Sequence, residues 1–137
     1  MSQQTHNVFA LTVLRDRVLP DLFKDDLAEI SYWAGKSLAR EIELSGIAAI
    51  ITFFTDAGFG DLTIEVQKNT SQKWQLAGPI VKTRLAENPN ANFALEAGFL
   101  AQQTEQQLGF GAETQTEIGK NGVTFTVVTA AAGTLHE

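Results

Sequence analysis

The sequence predicts an α+β domain in which helices cover one face of a twisted antiparallel sheet of about four strands. Three observations predict it. Helical apolar periodicity runs from Val8 to Ala57, the period changes abruptly to two at Leu62, and Asn121-Gly122 sits between two alternating runs near the end. The resulting order is helix, helix, helix, hairpin, helix, hairpin, which an antiparallel sheet covered on one side accommodates. At 137 residues with 44% apolar and 19% charged content, the chain fits a single domain, 1–137, able to bury a core of its own.

The elements follow in order. Val8 to Leu22 reads as a first helix, with Val8, Leu11, Val18 and Leu22 at helical spacing. Phe9, Ala10, Val13, Leu14 and Leu19 make it apolar nearly all round, so more than one face needs covering, and a second copy of the chain could cover one. Pro20 is placed to stop or kink this helix. Asp25 and Asp26 are candidate N-caps for the second helix, with Glu29 in the capping-box position. That helix runs through Ser31 to Glu43, with Ile30, Trp33, Leu38 and Ile42 as apolar weight and Tyr32, Lys36 and Arg40 as one row. Gly35 in its middle costs about 1 kcal/mol relative to alanine, which close approach of another backbone would justify.

A third helix, Ile47 to Ala57, is apolar throughout and stops at Gly58-Phe59-Gly60. Leu62, Ile64 and Val66 then alternate with Thr63, Glu65 and Gln67 as a half-buried strand. Lys68 to Lys73 form the turn, Trp74 and Leu76 the return strand, and Gly78-Pro79 breaks it. Ile80 to Ala86 is a short helix or an extended segment, followed by an Asn88-Pro89-Asn90 loop. Asn92 to Leu108 forms the next long helix, with Phe93, Ala97, Leu100 and Leu108 on its apolar side. The closing hairpin pairs Ala112–Ile118 with Val123–Ala130 around Lys120-Asn121-Gly122, with Val123, Phe125 and Val127 facing inward. Residues 1–7 and the small, polar 131–137 are expected to be flexible ends. Ala34-Gly35 and Ala97-Gly98 echo each other in two helices that precede hairpins. Two helices crossing at short distance would need such glycines, and chance similarity explains the echo equally well.

Composition narrows the chemistry. With no cysteine, disulfides, thiolate catalysis and cysteine-held metals are unavailable. The net charge of −6, with scattered basic residues, argues against nucleic acid. Met1 to Asn7 lacks the regions of a secretory signal, and no apolar run approaches the roughly 20 residues of a membrane span. The expectation is a cytoplasmic protein without a membrane span. His6 and His136 lie at opposite ends without ligand spacing, so neither a metal site nor a histidine triad is expected. Gly58-Phe59-Gly60 precedes a strand, whereas phosphate-cradling loops open into a helix. No cofactor and no catalytic constellation are expected.

The segments YWAGKSLAR (Tyr32 to Arg40), FFTDAGFGDLT (Phe53 to Thr63), LAGPIVKTRL (Leu76 to Leu85) and FALEAGFLAQQ (Phe93 to Gln103) carry a resemblance to a known family. Together with RVLPDLF (Arg17 to Phe23), they resemble, in order and over about Val8 to Val128, the YslB family of Firmicutes. That family is similar to a wider group that includes the 4-vinyl reductase-type domain, the TRAPP vesicle-tethering subunits and the haem-NO-sensor relatives. The wider likeness rests on the helix holding Glu96-Ala97-Gly98-Phe99-Leu100 and the hairpin after it. It implies helices on a twisted antiparallel sheet, dimerisation through helices, and in some members a cleft between helices and sheet for an apolar ligand. Cysteines that relatives carry near the last hairpin are replaced here by Thr116, Glu117, Val123 and Thr124, so thiol-linked ligands do not carry over. Nor is haem expected, since no histidine lies inside a predicted helix.

The expected function is a non-catalytic binding domain, homodimeric in form, with an interhelical cleft for a small apolar or amphipathic ligand. Candidate ligand-binding residues are Tyr32, Trp33, Arg40, Phe53, Phe93, Glu96 and Phe99. Glu96 either fixes the polar head of a ligand or joins a structural ion pair with Arg40, Lys36 or Arg84. The aromatic residues are either cavity lining or ordinary core. The alternative function is a protein-interaction or adaptor module with a solid core. It would dock partners on the sheet face of Thr63, Glu65, Gln115, Glu117, Thr124 and Thr126, or on the first helix.

Overall fold

Residues 9–137 are described by the structure, a computed structural model. Val8, His6 and the expected flexible end at 1–7 lie outside them. The N-terminal helix is α-helical over 9–13, widens to a π-helix over Leu14–Val18, and closes as α1, Leu19–Phe23. After a 3₁₀ turn at Lys24–Asp26 come α2 (Leu27–Arg40) and α3 (Ile47–Asp56), then the hairpin β1 (Asp61–Gln67) and β2 (Ser71–Ala77). The short α4 (Pro79–Glu87) and long α5 (Ala94–Leu108) lead into β3 (Ala112–Ile118) and β4 (Val123–Thr129). The four strands form one antiparallel sheet in the order β1-β2-β4-β3. The α+β reading therefore holds, and Pro79–Glu87 is a helix rather than an extended segment. Gly78, at φ 98, and Pro79 start it, because proline's missing N–H and fixed φ suit a first helical turn.

The two inner strands carry the core. Trp74 and Leu76 on β2 and Val123, Phe125 and Val127 on β4 are fully buried beneath the helices. On the other face Thr63, Glu65, Gln115 and Glu117 are exposed, so the sheet is open on that side. Under α3, Phe54, Phe59 and Phe99 pack edge to face, and Phe53 stacks on Phe99 with ring centroids 4.6 Å apart. Offset and edge-on aromatic pairs add to the area they bury.

The layer above the sheet depends on one crossing. A Cβ placed on Gly35 of α2 would overlap the Leu95 carbonyl oxygen of α5, and one on Gly98 would overlap the Tyr32 carbonyl oxygen of α2. Each helix thus presses its glycine onto the other's backbone. Of the two explanations for the repeated Ala-Gly, close crossing is the one the structure supplies. Held between α2 and the sheet, α5 is buried without interruption from Glu96 to Thr104, which its one-sided apolar pattern did not indicate.

Four local expectations are corrected. The second helix spans Leu27–Arg40, not Ser31–Glu43, and no side-chain cap bond forms at Asp26, because the 3₁₀ turn holds that residue in a helical conformation. Trp33 and Ile30 do not serve as core: they are 57% and 41% exposed, lying on the side of α2 away from the Gly35 crossing. The turn of the first hairpin is shorter than Lys68 to Lys73, since β2 already begins at Ser71. The tail 131–137 packs on the domain instead of extending free of it. Leu135 is buried, its amide and carbonyl bond Gln67, the Gly133 amide donates to Asn69, and the His136 carbonyl accepts from Ile47 N–H at 2.8 Å.

Gly35→Ala is expected to lower unfolding stability by about 3 kcal/mol, the upper range for overpacking, because rigid backbone rather than a side chain must move. Gly111→Ala, whose added Cβ would meet only ordinary contacts, is expected to change it little. Urea denaturation of both variants checks the contrast.

Candidate functional site

Beside the helix crossing, a groove of about 570 Å³ opens between α2, the 90–94 segment before and at the start of α5, and the inner side of β3. Ala28, Glu29, Tyr32 and Trp33 come from α2, Thr116 and Ile118 from β3, and Asn92 and Phe93 form the facing wall. The register of β3 on β4 sets Thr116 opposite Phe125 and Ile118 opposite Val123, which turns both toward the helices. This size falls within the roughly 300–1,000 Å³ typical of small-molecule sites. Apolar rings with a few polar groups (Glu29, Asn92, Thr116) give the surface an amphipathic character. A bound molecule could stack on aromatic rings while hydrogen-bonding at the rim.

The α2 side of the groove is fixed to the sheet edge. Tyr32 donates its hydroxyl hydrogen to Glu113 Oε2 and accepts the Thr114 backbone N–H at 2.9 Å, satisfying an amide on the outer strand. Lys36, buried one turn on, reaches Glu113 Oε1 at 3.2 Å and lies over the Tyr32 and Trp33 rings at 5.6 and 5.3 Å. Burial, followed by the hydrogen bond to Glu113, pushes the Tyr32 phenol up to about 12.

The opposite wall is backed by a buried group of four charges. Arg84 of α4 grips Asp16 with Nε at 2.9 Å and Nη2 at 2.8 Å, and its Nη1 reaches Glu96 at 3.4 Å. Arg15 makes a second two-point pair with Glu96, at 2.8 and 3.0 Å. Both guanidinium groups also donate to the Asn92 carbonyl, at 2.8 Å from Arg84 and 3.2 Å from Arg15. Glu96 and Arg84 are 0% and 1% exposed, so each depends on its partners for solvation. Desolvation alone would pull Arg15 down, but Glu96 and Asp16 outweigh it and hold the guanidinium above its ordinary range. Removing one member of such a buried set costs about 3–5 kcal/mol because it strands the others. Arg84 also lies over the Phe93 ring, 4.2 Å from its centroid, and Asn92 Oδ1 accepts the Ala94 N–H that starts α5.

The seven candidate residues therefore separate. Tyr32, Trp33 and Phe93 line the groove together. Glu96 lies behind its wall, paired with Arg84 and with Arg15, while Lys36 turns to Glu113 and Arg40 pairs with neither. Phe99 is sealed in the aromatic core. Phe53, stacked on it, faces a shallow surface hollow with Leu44, Ala48 and Thr52. Arg40 is exposed beside a different, polar groove of about 790 Å³ formed by 41–45, Gln106, Gln107 and His136. Sequence reasoning missed Arg15, Asp16 and Asn92. Arg15, Asp16 and Arg17, three consecutive charges in a largely apolar helix, were the available signal. Ser45 Oγ lies 3.1 Å from His136 Nε2, and no carboxylate among the described residues hydrogen-bonds that imidazole, so the contact serves to hold the tail. Among the described residues no group of three or more His, Cys, Asp or Glu side chains could hold a metal, and no helix is long and apolar enough to cross a membrane.

Tyr32 is the chain's only tyrosine, which makes its ionisation readable by absorbance near 295 nm. The native protein is expected to titrate near 12, and Glu113→Gln below that. The raised pKa means the neutral phenol's contribution to stability is complete below the unfolded value, about 10, and is lost as pH rises through about 12.

The fold is shared with two solved proteins. A vinyl-4-reductase family protein from Methanocaldococcus jannaschii superposes with a TM-score of 0.53 at 23% identity, covering 95% of this chain and 82% of that one. The phenol-responsive sensory domain of the transcription activator PoxR, solved with phenol, gives a TM-score of 0.58 at 10% identity, covering 89% and 74%. Uncharacterized protein YslB of Bacillus subtilis (strain 168) is 37% identical over 114 residues, 83% of this chain and 77% of that protein. The family model described as "Protein of unknown function (DUF2507)" matches residues 8–128, and the chain belongs to that family.

Proposed function

We propose that this domain is a non-catalytic binding module that takes a small aromatic or amphipathic molecule in the groove between α2, the 90–94 segment and β3. The observation that carries this reading is Trp33. A large aromatic side chain, 57% exposed, stands beside Tyr32 and Phe93 in a cavity of ligand size instead of joining the core. Aromatic side chains with a few convergent polar groups are the usual lining of small-molecule sites. The phenol-responsive sensory domain adds support at the level of fold, which is analogy.

The working form in this reading is a homodimer through the N-terminal helix. Leu14, Val18 and Leu22 recur every four residues on its outer side and are all exposed, at 49%, 41% and 68%. Arg17 and Asp21 flank them at the same spacing, so an antiparallel second copy would set each Arg17 near the other's Asp21. The adaptor reading draws on the open sheet face, where Val128 is 46% exposed among polar neighbours.

Native mass spectrometry of gently purified full-length protein tests both parts. A dimer carrying a reproducible small added mass is expected. Trp33→Ala is expected to lose the added mass while changing stability by no more than about 0.5 kcal/mol, as for other surface sites, and Leu22→Lys to give a monomer. An added mass retained undiminished in folded Trp33→Ala would remove the groove assignment.

A further inference from the structure

We propose that occupancy of the groove tightens the N-terminal helix onto the rest of the domain, with Asn92 and Phe93 as the transmitting segment and Arg84 and Arg15 as positioning residues. This rests on the groove being a ligand site. Asn92 and Phe93 each have two sides. Toward the groove, both form its wall. Away from it, the Asn92 carbonyl accepts from Arg84 and Arg15, and the Phe93 ring lies beneath the Arg84 guanidinium. Those two arginines are in turn the grip on the helix: Arg84 holds Asp16, and Arg15 reaches from the helix to Glu96. Among the described residues, every side-chain hydrogen bond between 9–23 and the rest of the chain passes through Arg15 or Asp16.

The helix is built to respond to that grip. Arg15 and Asp16 lie in its π-helical stretch, a geometry rarer and less regular than the α-helix around it. Its junction with α2 runs through the exposed Lys24, whose φ of 48 is a backbone conformation that non-glycine residues seldom adopt. A molecule packed on Asn92 and Phe93 restricts the segment that presents the carbonyl and the ring to the arginines. The ion pairs then form with less ordering still to be done, and the helix opens less often. By reciprocity, holding the helix raises groove affinity by the same factor that ligand lowers helix opening.

The absence of cysteine permits a test that needs no natural ligand. Thr116→Cys places a single thiol in the groove, and benzyl methanethiosulfonate attaches an aromatic ring there, with methyl methanethiosulfonate as the control. Hydrogen exchange of the full-length protein is then read at 90–95 and at 9–23. The benzyl adduct is expected to slow both regions, the second by about fivefold or more, the lower end of ordinary coupling between sites. Adding Arg15→Gln, or Asp16→Asn should that variant fail to fold, is expected to leave the slowing at 90–95 and abolish it at 9–23. Slowing at 90–95 alone in the parent protein would overturn the transmission while keeping the groove as a site. Slowing at 9–23 that survives the loss of Arg15 or Asp16 would overturn the assigned route. No slowing in either region would remove the groove reading and, with it, this proposal.

Discussion

The close crossing of α2 and α5 at Gly35 and Gly98 is the constraint on which the rest of this structure depends. Because each glycine meets a carbonyl of the opposite helix, the two axes are fixed in both distance and register. That contact holds Tyr32 and Lys36 over the edge strand, where Glu113 and the Thr114 amide receive them. It also leaves Trp33 outside the helix interface, above the space between α2 and β3.

The second organising feature is electrostatic and sits on the other wall. Two arginines and two carboxylates form a neutral group buried between the N-terminal helix, α4 and α5. Such groups contribute less net stability than their short distances suggest, because four ions lose their water to form them. Their geometric demand is strict, however, and here it fixes the Asn92 carbonyl and the Phe93 ring at the point where α5 begins. The groove is therefore bounded by a hydrogen-bonded helix on one side and a charge-clamped loop on the other.

Much of this was legible in the sequence, and the divisions have physical causes. The hairpins, their inward faces and the paired glycines were readable because strand alternation, Asn121-Gly122 and mid-helix glycines act over a few residues. The charge group was not, since Arg15 and Glu96 are 81 residues apart and nothing local shows that they meet. Glu96 was recognised as needing a partner; which arginine supplies it depends on tertiary packing. The candidate site was half readable for the same reason. Aromatic residues at helical spacing included Tyr32, Trp33 and Phe93, which border the groove, but could not separate them from Phe99, which the same spacing seals in the core, or from Phe53, half-buried against it at a different hollow. At the tail, composition concealed the one large apolar anchor, Leu135, whose place is made by Gln67, and the backbone bonds of Gly133 and His136 on either side of it.

The central claim is that Trp33 marks a ligand site while the core stays closed. The two tryptophans, Trp33 in the groove and Trp74 fully buried, give two indole N–H resonances that report on these regions separately. Under the proposed groove site, titration of ¹⁵N-labelled protein with a small aromatic probe, benzyl alcohol, is predicted to move the Trp33 resonance progressively to saturation and to leave that of Trp74 in place. A Trp33 resonance that stays fixed while Trp74 shifts would place binding in the core and contradict the account.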